Sequence, residues 1–167
     1  MNVPLTITGA ALSLIALALA VRTWWKGNRA FKPILPSLWG VIIGASLLLC
    51  VGGLLGWIAI KSISANSAAG DWAVKRTTGH SGGALHSGGM GTLTTPGACV
   101  LVVVVAVAIV VFTKASKTIR WKLLGGAYVG VTLCATAGVA QMMQWLPDTY
   151  NYAGQSIVDF FNGGMPL

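Results

Sequence analysis

The sequence predicts an all-α integral membrane protein with four transmembrane helices and a short C-terminal amphipathic helix. Charged residues make up 8% of the 167 residues, whereas soluble proteins average about 25%, and 55% are hydrophobic. Mean hydropathy is +0.77. Four charge-free apolar runs, at residues 4–21, 38–60, 97–113 and 123–145, are long enough to cross a hydrocarbon core of roughly 30 Å. These observations argue against a soluble enzyme, a disulfide scaffold and a disordered tail, and predict a single membrane domain over residues 1–167.

The first and third runs each admit a second interpretation. Residues 18–20 imitate a signal-peptide cleavage site, but no lysine or arginine precedes the first run, so we interpret it as an uncleaved helix. The third run is dominated by β-branched residues from Val100 to Val111 and in water would be expected to form a buried strand. In lipid an unpaired strand edge is prohibitive, so we expect a helix there too.

Orientation follows from the distribution of basic residues. The chain has 11 lysines and arginines against 3 acidic residues, and most of the basic residues lie in the two short links that follow the first and third runs. Cytoplasmic loops are enriched in lysine and arginine, so we expect both links in the cytoplasm and both termini outside the cell membrane. The residues of these cytoplasmic basic loops are Arg22, Lys26, Arg29, Lys32, Lys114, Lys117, Arg120 and Lys122.

The same basic loops indicate the partners of the chain. They set topology and attract anionic lipid, so the lipid bilayer is the expected partner. A nucleic-acid contact is the less favoured alternative, in which lysines and arginines bind phosphate and Trp24, Trp25 and Trp121 stack on bases. No groove-reading motif accompanies the basic residues, which is why lipid is preferred.

The predicted outer loop, residues 62–95, is rich in glycine, serine, threonine and alanine. Within it the sequence His80-Ser81-Gly82-Gly83 recurs as His86-Ser87-Gly88-Gly89. Such a composition buries too little apolar area to offset the entropy of ordering the backbone. We therefore expect the loop to be mobile by itself.

The tail, residues 147–162, has the periodicity of an amphipathic helix. Apolar residues recur at steps of three and four, and polar residues such as Gln155 lie opposite them. The tail lacks basic residues, so apolar insertion would hold it at the bilayer surface, or it would dock on a neighbouring subunit. The predicted interfacial residues are Tyr150, Ile157, Phe160 and Phe161.

Two stripes of small residues are the strongest pattern in the sequence. Small residues four positions apart let helix backbones approach closely in lipid, where close packing is the main source of helix association. The pattern is typical of packing within one four-helix bundle or between subunits, and both remain open. The predicted packing residues are Gly40, Gly44, Gly52 and Gly56 in the second span, and Gly126, Gly130, Cys134 and Gly138 in the fourth.

We predict no metal or cofactor. His80 and His86, with Met90 and Cys99 nearby, are soft potential ligands, but a flexible glycine loop does not fix their geometry. We interpret these residues as parts of a solvated loop.

We also predict no catalytic site. Asp71, His80 and Ser81 are the residue types of a nucleophile triad, but no nucleophile elbow accompanies them. The predicted spans contain no ionisable residue, which disfavours ion-coupled transport. Their polar groups, such as Gln141 and Gln144, either hydrogen-bond between helices or line a water-filled cavity, and the first is the commoner use.

The overall plan resembles a known class of membrane proteins. A small four-span chain with glycine-rich helices, short basic loops and Ala/Val/Gly/Trp-rich segments such as Gly53–Ile60 and Ala69–Val74 is similar to small membrane proteins of actinobacterial mobile elements. These include the plasmid-spread proteins of Streptomyces-type conjugation. The resemblance implies a role in the passage of DNA between cells through a membrane pore, and it assigns no functional residue.

We therefore expect a non-enzymatic membrane subunit that self-associates into a larger assembly, such as a pore or conduit of a conjugative element or phage. The two small-residue stripes and the amphipathic tail motivate this expectation. The alternative is an accessory subunit of a larger transport or secretion complex. In that case the outer loop would dock on other membrane subunits and become ordered only beside them.

Overall fold

The computed structural model describes residues 5–27, 33–50, 52–80 and 82–164. Within these ranges all regular secondary structure is helical, which confirms the all-α prediction. The helices are α1 (Ile7–Lys26), α2 (Leu35–Leu47), α3 (Leu54–Thr78), α4 (Thr95–Lys114), α5 (Lys117–Cys134), α6 (Ala137–Met142) and α7 (Trp145–Phe161).

Two of the described helices, α1 and α4, are long and apolar enough to cross a membrane. They correspond to the first and third predicted runs. Each begins at a threonine N-cap, where the Thr6 hydroxyl accepts a hydrogen bond from the Gly9 amide and the Thr94 hydroxyl from the Gly97 amide. Within the most apolar 18-residue window of each helix, 17% of the residues are buried. The core helix of a soluble protein is mostly buried, so this exposure favours lipid around α1 and α4.

The second predicted run, residues 38–60, is not one continuous helix. Helix α2 ends at Leu47, and α3 begins at Leu54. Between them Gly52 has a φ of +89°, a conformation that side chains with a Cβ rarely adopt, and Gly53 is extended. Gly52, which was predicted as a member of a packing stripe, therefore interrupts the helix together with Gly53.

The fourth predicted run, residues 123–145, is also interrupted. Helix α5 ends at Cys134, Thr136 is extended and caps the short helix α6, and α7 begins at Trp145. The predicted tail, residues 147–162, lies almost entirely within α7. Four continuous spans are thus not what the chain forms, because two of the apolar runs break near their middle.

The predicted outer loop is wrong over residues 62–78, which form the second half of α3. This helix continues to Thr78 and ends at Gly79, which has a left-handed φ of +74°. Small residues at helical spacing give α3 a face that packs closely on its neighbours, and this face outweighs the loop-like composition. The buried residues of the face are Gly56, Ala59, Ile63, Asn66, Ser67 and Gly70.

The C-terminal part of that predicted loop, residues 82–94, is held by backbone hydrogen bonds to other parts of the chain, and we call it the anchored loop. The Leu85 amide donates to the Leu5 carbonyl oxygen at 2.7 Å. The Gly88 amide donates to the Ala135 carbonyl oxygen at 3.1 Å, and the Ala137 amide to the His86 carbonyl oxygen at 3.2 Å. The interruption between α5 and α6 leaves backbone groups without helical partners, and the loop supplies those partners.

The chain consists of two halves with the same order of elements, α1–α2–α3 and α4–α5–α7. Each half begins with a 20-residue apolar helix that ends in lysine, and its last long helix packs against the start of the first. The match extends to single contacts. A Cβ added to Gly70 of α3 would lie 2.6 Å from the Gly9 amide nitrogen, and one added to Gly154 of α7 would lie 2.6 Å from the Gly97 amide nitrogen.

Two hydrophobic clusters connect the halves. In the first cluster, α2 packs on α4 and α7. In the second, α5 packs on α3 and the start of α1. The second helix of each half therefore packs on the other half. The first cluster comprises Ala45, Leu49, Met90, Leu101, Val105, Cys134, Ala140, Leu146 and Tyr150, and the second Leu5, Ala59, Ile63, Val131 and Ala135.

Candidate functional site

The centre of the molecule is a backbone-to-backbone contact between α2 and α5. A Cβ added to Gly44 would lie 2.2 Å from the Ala127 carbonyl oxygen, and one added to Gly130 would lie 2.3 Å from the Val41 carbonyl oxygen. Gly40 and Gly126 face each other in the same contact. These four predicted packing residues therefore act within one chain, as small residues in adjoining helices do in lipid.

The other members of the two stripes have different surroundings. A Cβ added to Gly52 or Gly138 would have no neighbouring atom within 4 Å. Gly56 is buried on α3, beyond the interruption, and Cys134 is a buried core residue at the end of α5. The close contact thus ends where both helices are interrupted.

In the first half, a buried network of polar side chains joins α1, α3 and α5. The Asn66 amide donates to the Gly9 carbonyl oxygen at 2.9 Å and to the Ser13 hydroxyl at 3.1 Å, and its carbonyl oxygen accepts from the Tyr128 hydroxyl. The Ser13 hydroxyl lies 2.7 Å from the Thr132 hydroxyl. The sequence analysis missed this network because Asn66 was assigned to the outer loop. The sequence signal that could have located it is the helical spacing, at steps of three and four, of Gly56, Ala59, Ile63, Asn66 and Gly70.

In the second half, α7 is held with fewer buried polar contacts. The Tyr150 hydroxyl lies 2.9 Å from the Ser46 hydroxyl of α2, which also donates to the Ile42 carbonyl oxygen. At the exposed start of α4, the Asn151 side chain accepts from the Thr94 amide at 2.8 Å. In the described part of the chain, every buried side-chain nitrogen and oxygen has a hydrogen-bond partner.

The two interruptions line one cavity of about 230 Å³. Residues 48–50 of the first interruption, Cys134 and Ala135 of the second, and residues of α3 such as Ala59 form its walls, and residues 87–91 of the anchored loop border it. Cys50 and Met90 also line it, so three sulfur-bearing side chains border the same space. The sequence did not place these residues together, because they are far apart along the chain.

The residues considered for catalysis and metal binding have separate partners. The Asp71 carboxylate accepts from the Thr8 hydroxyl, whereas the His80 ring nitrogen Nδ1 lies 2.9 Å from the Thr78 carbonyl oxygen. Ser81 lies outside the described residues.

Among the four potential metal ligands, His80, His86 and Cys99 are exposed, and Met90 is buried in the core. Within residues 5–27, 33–50, 52–80 and 82–164, no three His, Cys, Asp or Glu side chains are grouped to hold a metal ion.

Of the residues of the predicted basic loops, those that the structure describes lie at one end of the molecule, which we call the basic end. Arg22 and Lys26 lie in the last turns of α1, Lys114 ends α4, and Lys117, Arg120 and Lys122 lie at the start of α5. The other described basic residues, Lys61, Lys75 and Arg76, lie in α3. Arg120 folds back and donates to the Ala115 carbonyl oxygen at 2.9 Å, and Lys122 donates to the Pro33 carbonyl oxygen at 3.0 Å. The loop residues Arg29 and Lys32 lie outside the described residues, and Lys117 is exposed.

The four predicted interfacial residues all lie on α7, but they differ in exposure. Tyr150 is buried against α2, as described above. Ile157, Phe160 and Phe161 remain 50%, 70% and 81% exposed, and the two phenyl rings pack edge to face with centroids 5.8 Å apart. The C-terminal end of α7 therefore presents exposed apolar side chains. The two glutamines, Gln141 and Gln144, are exposed.

Comparisons of the chain with protein-family models, with curated proteins and with solved structures found no match.

Proposed function

We propose that the chain is a non-enzymatic, multi-spanning membrane subunit that self-associates into a larger assembly, such as the pore or conduit of a conjugative element or phage. The observation that carries the proposal is the apolar surface of α1 and α4. Contiguous apolar patches of this kind are rare on soluble monomers and indicate contact with lipid or protein. The exposed side chains include Leu14, Ile15, Leu19, Val102, Val103, Val107, Ile109 and Val110.

The arrangement of the halves supports a multi-spanning topology. With α1 and α4 crossing inward and α2 and α5 returning, the basic end faces the cytoplasm, and α3 and α7 lie towards the outer side. Helix α2 has 13 residues, or about 20 Å at 1.5 Å per residue, so its interruption falls within the hydrocarbon depth. Irregular backbone is tolerated there only when protein covers it, which is the role of the anchored loop.

The close contact of α2 and α5 at the centre of a single chain supports self-association. The α2 and α5 backbones contact each other at Gly44 and Gly130, so no passage runs between them. A conduit would therefore form between several copies, and the exposed faces of α1 and α4 are available for that contact. In the alternative function, an accessory subunit, the outer loop becomes ordered only beside a different protein, whereas its pairing with Leu5 and Ala135 favours self-association.

Crosslinking of single cysteines in native membranes tests the proposal. In a background without native cysteines, Val103→Cys places a thiol on the exposed face of α4, whereas a chain that retains only Cys134 has a buried thiol. We expect a bifunctional maleimide to give dimers and higher species with Val103→Cys and only monomer with Cys134. Monomer with Val103→Cys and also with Leu14→Cys, at every expression level, would contradict self-association.

A further inference from the structure

A groove of about 470 Å³ opens between α1, α2 and α5 at the basic end, and we call it the first groove. Its walls are mostly apolar, with Leu17 and Ala20 from α1, Val41 from α2 and Val129 from α5. The volume falls within the roughly 300 to 1,000 Å³ of ligand sites. Because α1 contacts α3 and α5 mainly near its start, its second half stands apart from the bundle and leaves this space.

The other half of the molecule contains a related space, a second groove of about 260 Å³ between α4, α5, α2 and the start of α3. The two grooves share several equivalent positions: Ala20 corresponds to Ala108, Trp24 to Phe112, and Ser37 to Leu123. The described residues that line the second groove are all apolar or glycine. The first groove is therefore the candidate binding site, and the second groove serves as a control within the same molecule.

The grooves differ most at the basic end. Among the residues that the structure describes, a cation, Lys122, lines the first groove there, together with Trp24 and Trp121, and none lines the second. Lys122 is half-buried and its ammonium donates to the Pro33 carbonyl oxygen at 3.0 Å, which holds the charge at the mouth. An ammonium has three N–H donors, so two remain for an anion. Tryptophan is enriched at the headgroup layer of a bilayer.

We infer that the first groove binds an anionic phospholipid of the cytoplasmic leaflet. One acyl chain lies against Leu17, Ala20 and Val129, and the phosphate pairs with Lys122. The occupant follows from charge complementarity, since the apolar wall accepts hydrocarbon and the mouth carries a positive charge. This site depends on the membrane embedding in the proposed function, but not on self-association.

Lipid retention in nanodiscs tests the site. The full chain is placed in nanodiscs of phosphatidylcholine with phosphatidylglycerol, released into mild detergent, and examined by native mass spectrometry for retained lipid. Ala20→Phe fills the first groove, and Ala108→Phe fills the second. We expect Ala20→Phe to reduce retained phosphatidylglycerol at least tenfold and Ala108→Phe to leave it unchanged.

A lysine variant tests the contribution of the headgroup contact separately from that of the apolar groove. We expect Lys122→Gln to reduce the preference for phosphatidylglycerol over phosphatidylcholine about fivefold, the effect of about one basic residue near an anionic surface. Lys117→Gln, which removes an exposed charge outside the groove, should have little effect.

Three results would contradict the lipid site. The two phenylalanine variants could retain equal amounts of phosphatidylglycerol, or the two lysine variants could change the lipid preference equally. The third is a change in oligomeric state with Ala20→Phe in place of lipid loss. If Ala20→Phe does not fold, the lysine pair decides alone. A chain that alkaline carbonate washes from membranes contradicts the proposed function itself, whereas a membrane-bound chain without lipid preference contradicts only the lipid site.

Discussion

Helices α3 and α7 occupy equivalent places in the two halves, yet different chemistry holds them. Each lies against the start of an apolar helix through a glycine, Gly70 in α3 and Gly154 in α7. Helix α3 is then fixed by the buried Asn66 network, whereas α7 is fixed by apolar packing around Leu146 and by a single buried hydrogen bond from Tyr150. The same backbone arrangement is thus compatible with a polar and an apolar attachment.

The two halves differ in the contacts that fix the position of their last long helix. A buried polar network fixes one geometry, because every misplaced partner leaves an unsatisfied group in an apolar environment. Apolar packing tolerates small shifts more readily. We therefore expect the attachment of α3 to be more sensitive to substitution than that of α7. The apolar side chains at the end of α7, Phe160 and Phe161, are exposed.

The largest effect should come from the contact that both halves share. Replacing Gly130 with Leu places a side chain where a Cβ alone would lie 2.3 Å from the Val41 carbonyl oxygen. We expect a loss of more than about 3 kcal/mol, above the usual range of overpacking, because backbone rather than side chain must move. A sizing column in mild detergent would then show aggregate or no folded protein.

Gly138→Leu is the matched control from the same predicted stripe. A Cβ at Gly138 has no neighbour within 4 Å, so this variant should elute like the parent. If Gly130→Leu also elutes like the parent, the α2–α5 contact is not close packed.

The next largest effect should distinguish the attachment of α3 from that of α7. Asn66→Ala leaves the Tyr128 hydroxyl and the Ser13 hydroxyl without their shared partner, and we expect it to destabilise the protein by about 2 kcal/mol. Tyr150→Phe removes one hydrogen bond, while Ser46 keeps its bond to the Ile42 carbonyl oxygen, so about 0.5 kcal/mol is expected. Thermal unfolding in detergent would compare them, and a larger loss for Tyr150→Phe would reverse the assignment.

The smallest effect should be at the free end of α7. Phe161 is 81% exposed, so Phe161→Ser should change the free energy of unfolding by less than about 0.5 kcal/mol. The same thermal measurement applies. A loss as large as that of Asn66→Ala would mean that the end of α7 is covered within the chain.

The sequence analysis located the elements whose pattern is local. Helices α1, α4 and α7 follow from an apolar run or an amphipathic period. The glycine spacing marked Gly44 and Gly130 as packing positions but did not show that Gly44 lies against Ala127 and Gly130 against Val41. The interruptions at Gly52 and Thr136 were missed, because hydropathy sums over a run and does not register one residue in an extended or left-handed conformation. Helix α3 was missed beyond residue 61, because its buried face is made of small and polar residues that also occur in loops.

The position of α3 relative to the membrane tests the two-half arrangement most directly. Cysteines introduced one at a time, in a chain whose native cysteines are replaced by serine, report the accessible side through a membrane-impermeant maleimide. We expect Lys75→Cys at the end of α3 and Asn162→Cys at the end of α7 to react only from outside, and Gly27→Cys and Ser116→Cys only from the cytoplasm. Reaction of Lys75→Cys from the cytoplasm would mean that α3 crosses the membrane, and the equivalence of α3 and α7 would be wrong.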